Sequence, residues 1–437
     1  MAATSPRRRR ADLTPAQHAQ IRRQLVLLPV YIWLMYGWSS FFVRLPGIPG
    51  ADAHVFRDFA HFYVQGVIAN ERNAHALYDI DEQAAVLRRV VPGSPDSRFP
   101  PVHGPQVSLF FSPLARLPYV AAMGVWLGLT LLVYGWCGYR TWKACPRLRD
   151  QPWTVFWLLV AAPALRFDLG FAQTAAIGLA CVTYGFLALR AGRPFLAGLA
   201  VGALAYKPQL GLAAAFVLLV AREWRIVAGA ATAVVGQFAA GCLYWGPGIL
   251  RQYIGALRRL PDVLPTMEPL KFDMHSWRSF FELLGLPPAV ALPAYAVAAA
   301  ATLAVALRAW QTRGPLGPRY AVLLVATVLV NPHMWVYDFI MLTPAFLLLW
   351  DLALGQGERK VGDVFPRLVP AALRRQPLVA ALIGLLYFCY FSPLLGALAE
   401  IDHVQASVLA LFILGMGTTE VLRSAPDAVL ETQATGL

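Results

Sequence analysis

Along the chain, long apolar runs alternate with short polar turns, and the run lengths set the fold class. Leu25–Phe42, Tyr119–Tyr139, Phe171–Leu189, Ile226–Tyr244, Ala289–Leu307, Ala321–Val330, Trp335–Leu349, Pro377–Tyr390 and Val404–Leu422 approach or reach the roughly 17–25 residues that carry a helix across a bilayer. Three further runs, Thr154–Leu165, Pro194–Ala205 and Leu210–Ala221, are too short to span unless tilted or joined to polar half-turns, which need protein or a cavity around them. The pattern predicts an all-α polytopic membrane protein with about twelve transmembrane helices, within a range of about 10–13. Within the first polar interval, His54, Asp58, His61 and Gln65 recur on one helical face, with Val55, Phe59, Phe62, Tyr63 and Val67 on the other. That pattern predicts a short amphipathic helix lying flat on the membrane with its aromatic side down. Asp79–Val91 reads as a second short helix, and the 99–105 segment as a proline-stiffened loop.

Composition agrees. The 437 residues are 58% hydrophobic and 14% charged, against about 25% charged in soluble domains. A net charge of +13 would suit nucleic acid in a soluble chain, but in a polytopic one basic residues first report topology. With a cytoplasmic N-terminus, 23 of the 37 Lys and Arg fall on inner segments, and every short loop obeys the positive-inside rule. No nucleic-acid partner is expected. Arg7–Arg10, Arg22 and Arg23 precede a span with no small-residue cleavage site and read as an uncleaved signal anchor. The organisation expected is a cytoplasmic tail at 1–23, one membrane unit at 24–423 with outer segments at about 44–118 and 245–288, and a cytoplasmic tail at 424–437. The five cysteines lack paired spacing, so no disulfide framework or zinc site is indicated. No internal repeat of the transporter type is visible.

Threaded this way, the polar motifs collect on the outer face. Asp58, just after the first span, is the candidate catalytic base, because partial desolvation raises a carboxylate's basicity toward that needed to deprotonate a hydroxyl. His54 and His61 beside it raise a metal alternative, since His three or four residues from an acid can share a cation. Lys207, between two short apolar runs, needs a polar partner, and a phosphate suits it. Arg166 and Asp168 can pair with each other, with Gln173 following. His275 lies in the second outer segment, and His333 and Asp338 at a proline-broken junction of two spans. An acid at that depth is costly unless paired, and Lys207 or an arginine is the expected partner of Asp338.

The motifs Arg57-Asp-Phe-Ala-His-Phe-Tyr63, Ala76-Leu-Tyr-Asp79, Phe99-Pro-Pro101, Leu109-Phe-Phe-Ser-Pro-Leu-Ala-Arg-Leu-Pro118, Lys207-Pro208 and Asn331-Pro-His-Met-Trp-Val-Tyr-Asp338 together resemble glycosyltransferase family 87, formerly DUF2029. The resemblance implies a GT-C-like fold and an inverting transfer of a sugar from a polyprenyl-phosphate donor to a lipid or glycan acceptor. Characterised relatives include mannosyltransferases. Asp58 matches the family's catalytic acid, and Lys207, His333, Asp338, Arg166, His61, Gln173 and His275 are the candidates for the donor phosphate and substrate. The enzyme so implied sits among the lipids of the cell membrane, inner or plasma, with its active site toward the periplasm or exterior. No metal or other cofactor is expected, since the leaving group is a single phosphate and Asp79-Ile-Asp81 reads as a helix cap. The alternative is a flippase, transporter or binding protein for lipid-linked saccharides, which would need the phosphate site without the base.

Overall fold

The computed structural model of the protein describes residues 30–39, 57–91, 98–268, 270–366 and 369–424. His54, the expected N-terminal tail and residues 425–437 lie outside these. Among the described residues there is helix and no strand, apart from isolated bridges such as Met274 with Trp335. In chain order the helices are α1 (30–39), α2 (Arg57–Glu71), α3 (Ile80–Val90), α4 (Pro105–Phe111), α5 (Tyr119–Lys143), α6 (Pro152–Val160), α7 (Pro163–Phe171), α8 (Ala175–Arg190), α9 (Pro194–Ala203), α10 (Leu212–Val220) and α11 (Trp224–Trp245). There follow α12 (Ile249–Arg258), α13 (Leu260–Met267), α14 (Trp277–Leu283), α15 (Pro288–Gln311), α16 (Leu316–Val330), α17 (Thr343–Leu354), α18 (Val361–Val364), α19 (Ala371–Arg374), α20 (Leu378–Phe391), α21 (Gly396–Asp402) and α22 (Ala406–Arg423). Proline opens many of them, α4, α6, α7, α9, α15 and α17 included, because its fixed φ suits a first turn whose N–H has no partner.

Among the described residues six helical segments are long and apolar enough to cross a membrane: Tyr119–Lys143, Trp224–Trp245, Pro288–Gln311, Val336–Leu354, Leu378–Asp402 and Ala406–Arg423. The pair α6 and α7, bent by 41°, makes a seventh if counted as one span. Ala175–Arg190, Pro194–Tyr206 and Leu316–Val330 are apolar but shorter. The apolar runs fall short for a local reason, since Pro163, Pro208 and Pro332 each end a helix where its hydrogen-bond ladder cannot continue. α16 and the 336–354 segment are buried almost all round, whereas α5, α11 and α15 expose Leu132, Leu243 and Val297 on their outer faces. That distribution marks a protein core ringed by lipid-facing helices.

The flat interfacial helix expected around Asp58 is not what forms. Residues 59–69 of α2 are buried, His61 and Gln65 along with Phe59 and Phe62. The helical period is present, but α4 covers one flank and α3 and α7 the others, so the polar stripe faces protein. Asp79 does cap α3, accepting from the N–H groups of Asp81 and Glu82 at 2.9 and 3.0 Å.

α9 and α11 pack with their backbones in near contact. A Cβ at Gly202 would collide with the carbonyl of Ala230, and one at Gly198 with that of Ile226. This is the small-residue packing that lets membrane helices approach closely. Gly202→Ala should therefore lower the thermal midpoint of the purified protein, by an overpacking cost of about 1–3 kcal/mol. Gly236→Ala, on the same α11 but with open space around it, should leave the midpoint unchanged; equal midpoints for the two variants would refute the packing account.

Candidate active site

The charged residues of the site come from helix ends and breaks. Asp58, half-buried, occupies the first turn of α2, where the helix dipole favours an anion. α7 stops because Ala172 adopts a left-handed backbone, φ 50°, at a cost of roughly 1–2 kcal/mol for a residue with a Cβ. Trp126 Nε1 holds that turn by donating to the carbonyls of Ala172 and Gln173, both at 3.2 Å. The turn aims Gln173 inward.

The Gln173 amide then joins opposite charges. Its Nε2 donates to Asp58 Oδ2 at 2.6 Å, and its Oε1 accepts from Lys207 Nζ at 3.5 Å and from the Thr174 N–H at 3.2 Å. Lys207 lies between two single-turn 3₁₀ helices, Leu204–Tyr206 and Pro208–Leu210, because Pro208 cannot continue the helix that precedes it. Tyr206 ties this break to the previous one, its hydroxyl donating to the Thr174 carbonyl at 2.9 Å. Lys207 completes its pairing with Asp338 Oδ1 at 3.1 Å; the two side chains are 8% and 2% exposed. The ammonium also lies over the Tyr337 ring, 4.9 Å from its centroid. Asp168, wholly buried, lies close enough to feel both Lys207 and Asp338.

Two histidines border this group. His61 Nε2 lies 3.3 Å from His103 Nδ1 and 2.9 Å from Gln65 Nε2. Burial pulls His61 down to about 4 from its ordinary value of 6.5. His103 is held well below its ordinary value by burial first, then by the charges of His61, Lys207 and His333. Both rings are neutral at physiological pH, which leaves Lys207, among the described residues, as the cation bonded to Gln173 and Asp338.

His333 belongs to a neighbouring assembly. Its backbone N–H is held by Asn331 Oδ1 at 2.8 Å, and its Nδ1 lies 2.8 Å from Glu268 Oε1. Glu268 also takes a two-pronged bond from Arg278 at 3.0 and 2.9 Å. Burial would raise the Glu268 carboxyl, but the contacts with His333 and Arg278 outweigh it and hold it below the usual range.

Of the residues picked from sequence, Asp58, Gln173, Lys207 and Asp338 thus form one connected chain, with His61 and His333 at its borders. Arg166 and Asp168 do not pair: Arg166 Nε donates to the Gly37 carbonyl at 3.0 Å, facing α1. His275 is drawn into the core, where its Nδ1 meets Ser407 Oγ at 2.7 Å and its ring packs on Phe339. The Met274–Trp335 bridge and a His275 N–H to Met334 carbonyl bond turn it that way. His103 and Glu268 were missed. His103 stands in the proline-stiffened loop already noted, whereas nothing in sequence marks Glu268, whose partners lie 10 and 65 residues away.

Two apolar grooves of about 550 Å³ each open beside these elements. One is lined by Gln106, Ile177, Tyr206, Phe110 and Gln237, and its first three residues lie within a helical turn of His103, Gln173 and Lys207. The other is lined by Trp38, Tyr134, Trp142, Phe156 and Leu165.

Residues 102–332 match the family model of glycosyltransferase family 87, more than half of the chain. Gln173, Lys207 and Glu268 lie within the match, and Asp58, His333 and Asp338 outside it. No curated protein and no solved structure matches the chain.

Two outcomes follow from this geometry. Lys207→Met strands a buried carboxylate and should destabilise the protein by about 3–5 kcal/mol, most of it recovered in Lys207→Met with Asp338→Asn; thermal unfolding of the single and double variants measures it. For His61 the folded value lies below the unfolded one, so its contribution is fully present above about pH 6.5 and is lost as pH falls toward 4. The thermal midpoint should fall across that window, and His61→Gln should flatten the slope, which reaches about 1.4 kcal/mol per pH unit for one histidine.

Proposed function

We propose that this chain, which belongs to glycosyltransferase family 87 and is thereby a membrane glycosyltransferase, moves a sugar from a polyprenyl-phosphate donor to a lipid or glycan acceptor, with inversion at the anomeric carbon. The observation that carries the reading is the Asp58–Gln173–Lys207 chain: a carboxylate and an ammonium are held apart by one amide. A carboxylate on one side of a sugar and a cation on the other is what displacement at an anomeric carbon requires. Asp58 takes the proton of the acceptor hydroxyl as its oxygen bonds to the anomeric carbon. The bond from that carbon to the phosphate oxygen breaks, and polyprenyl phosphate departs with the electron pair.

Lys207 has three N–H donors, and Asp338 and Gln173 engage two. The third is directed in this reading to the departing phosphate, and His333 supplies a further contact. Gln173 orients both the base and the cation. The groove lined by Ile177 and Tyr206 receives the isoprenoid tail, since its apolar walls end beside Lys207. Mannose is the sugar proposed, by analogy with characterised members of the family.

The same reading places the site on the periplasmic or outer side of the cell membrane and the N-terminus in the cytoplasm, with about twelve crossings in a GT-C-like arrangement. Its support is connectivity. The arginine-bearing turns at 190–193, 222–225 and 308–319 lie at the far ends of helices whose other ends carry Gln173, Lys207 and Asn331, and Trp310 donates to Glu223 across two of those turns at 3.0 Å.

The test is an assay of purified protein with a panel of polyprenyl-phosphate sugars and membrane lipid extract, watching for free polyprenyl phosphate. Asp58→Asn preserves shape and cannot accept a proton, so turnover should fall by at least about 10²-fold with binding of polyprenyl phosphate retained. Wild-type turnover by that variant would move the base elsewhere, whereas a wild type that released no phosphate from any donor would favour a flippase. Transfer should persist in EDTA, because one lysine and neighbouring donors meet the charge of a single leaving phosphate.

A further inference from the structure

A second run of alternating charges leads from the surface to the site. Lys271 Nζ meets Glu282 Oε2 at 2.6 Å, Glu282 Oε1 meets Arg278 Nε at 2.9 Å, Arg278 grips Glu268, and Glu268 reaches His333. Exposure decreases along it as far as Glu268: the Lys271 side chain is 42% exposed, Glu268 2% and His333 19%. Arg278 also donates to the Pro332 carbonyl at 3.1 Å, so the assembly grips the backbone on which His333 stands. Four full charges cancel, two of each sign, before His333 is counted.

Glu268 is acceptor-only when ionised, and Arg278 on both of its oxygens keeps it so. The proton of His333 must therefore sit on Nδ1, which leaves Nε2 as the atom turned to other groups. Where that ring stands follows from the aromatic side chains between it and Lys207: His333 lies edge-on to Trp335, Trp335 stacks on Tyr337 at 6.0 Å, and the Lys207 ammonium lies over the Tyr337 ring.

We propose that Glu268 is a positioning residue for sugar transfer. By holding His333 Nδ1–H it aims Nε2 at the phosphate that Lys207 binds, and Arg278 locks Glu268 in place. The proposal rests on the carrier-phosphate reading above. In the protonated ring Nε2–H donates to a phosphate oxygen, a charge-assisted bond of the strong class, and no covalent bond to His333 forms or breaks.

The test is a double-mutant cycle on binding of decaprenyl phosphate to the purified full chain in detergent, which needs no turnover. Glu268→Gln and His333→Ala should each weaken binding roughly tenfold. The double variant should bind no more weakly than His333→Ala alone, because Glu268 acts only through the ring. Glu223→Gln removes a carboxylate outside this assembly, bonded to Trp310, and should leave affinity unchanged. Should Glu268→Gln lower the thermal midpoint by more than a few degrees, Glu268→Asp takes its place in the cycle, keeping the charge but drawing it back from His333, with the same coupling expected. Tight wild-type binding with additive losses, or an equal loss in Glu223→Gln, overturns this proposal alone. Wild-type protein that binds neither decaprenyl phosphate nor inorganic phosphate overturns the carrier reading and this proposal with it.

Discussion

The Lys207–Asp338 pair governs the architecture around it. Two opposite charges with side chains 8% and 2% exposed sit inside an apolar bundle, where either one alone would carry a desolvation cost of several kcal/mol. Each must therefore have the other, and the chain must bring together positions 131 residues apart. A continuous helix would direct such side chains along its own flank. Breaks at Ala172, at Lys207-Pro208 and at Asn331-Pro332 instead let three segments turn inward at one place. The Tyr206 hydroxyl on the Thr174 carbonyl and Trp126 on the 172–173 turn hold those breaks together.

The short helices follow from this arrangement. A span interrupted by a polar turn loses intrahelical hydrogen bonds, and in a membrane the freed groups need partners in protein. The lost ladder bonds are met by 3₁₀ turns and by side chains, as where Asn331 Oδ1 accepts the His333 N–H. Among the described residues six segments keep full spanning length and most form the wall; the shorter α8, α9 and α16 each have one end leading to the charged centre.

Beside the charged assemblies stand histidines made neutral by burial. His61 and His103 face each other at 3.3 Å and add no charge to either the Asp58–Lys207 chain or the Glu268–His333 run. The result is one anion at the mouth of α2, a lysine facing it across an amide, and a histidine whose tautomer is set from behind. Under the function proposed above, that division of labour would separate proton removal from support of the leaving group.

The membrane class, the helical content, the pairing requirement of Asp338 and the cap at Asp79 were legible from sequence because each depends on neighbours in the chain or on the cost of burying charge in an apolar run. The helix at Asp58 was legible as a period of polar and apolar positions, but its environment was not: periodicity says that two faces differ, and only the packing of α3, α4 and α7 decided that both would be enclosed. Arg166 and Asp168 look like a pair at i and i+2, yet that spacing puts side chains on different faces of a helix, and the structure separates them. His275 and His333 look alike as polar residues in loops, but one is spent on Ser407 and the other is presented by Glu268. Run lengths and charge placement are local quantities that one sequence carries; the partner of a buried ion is a long-range choice, made when the helix breaks converge.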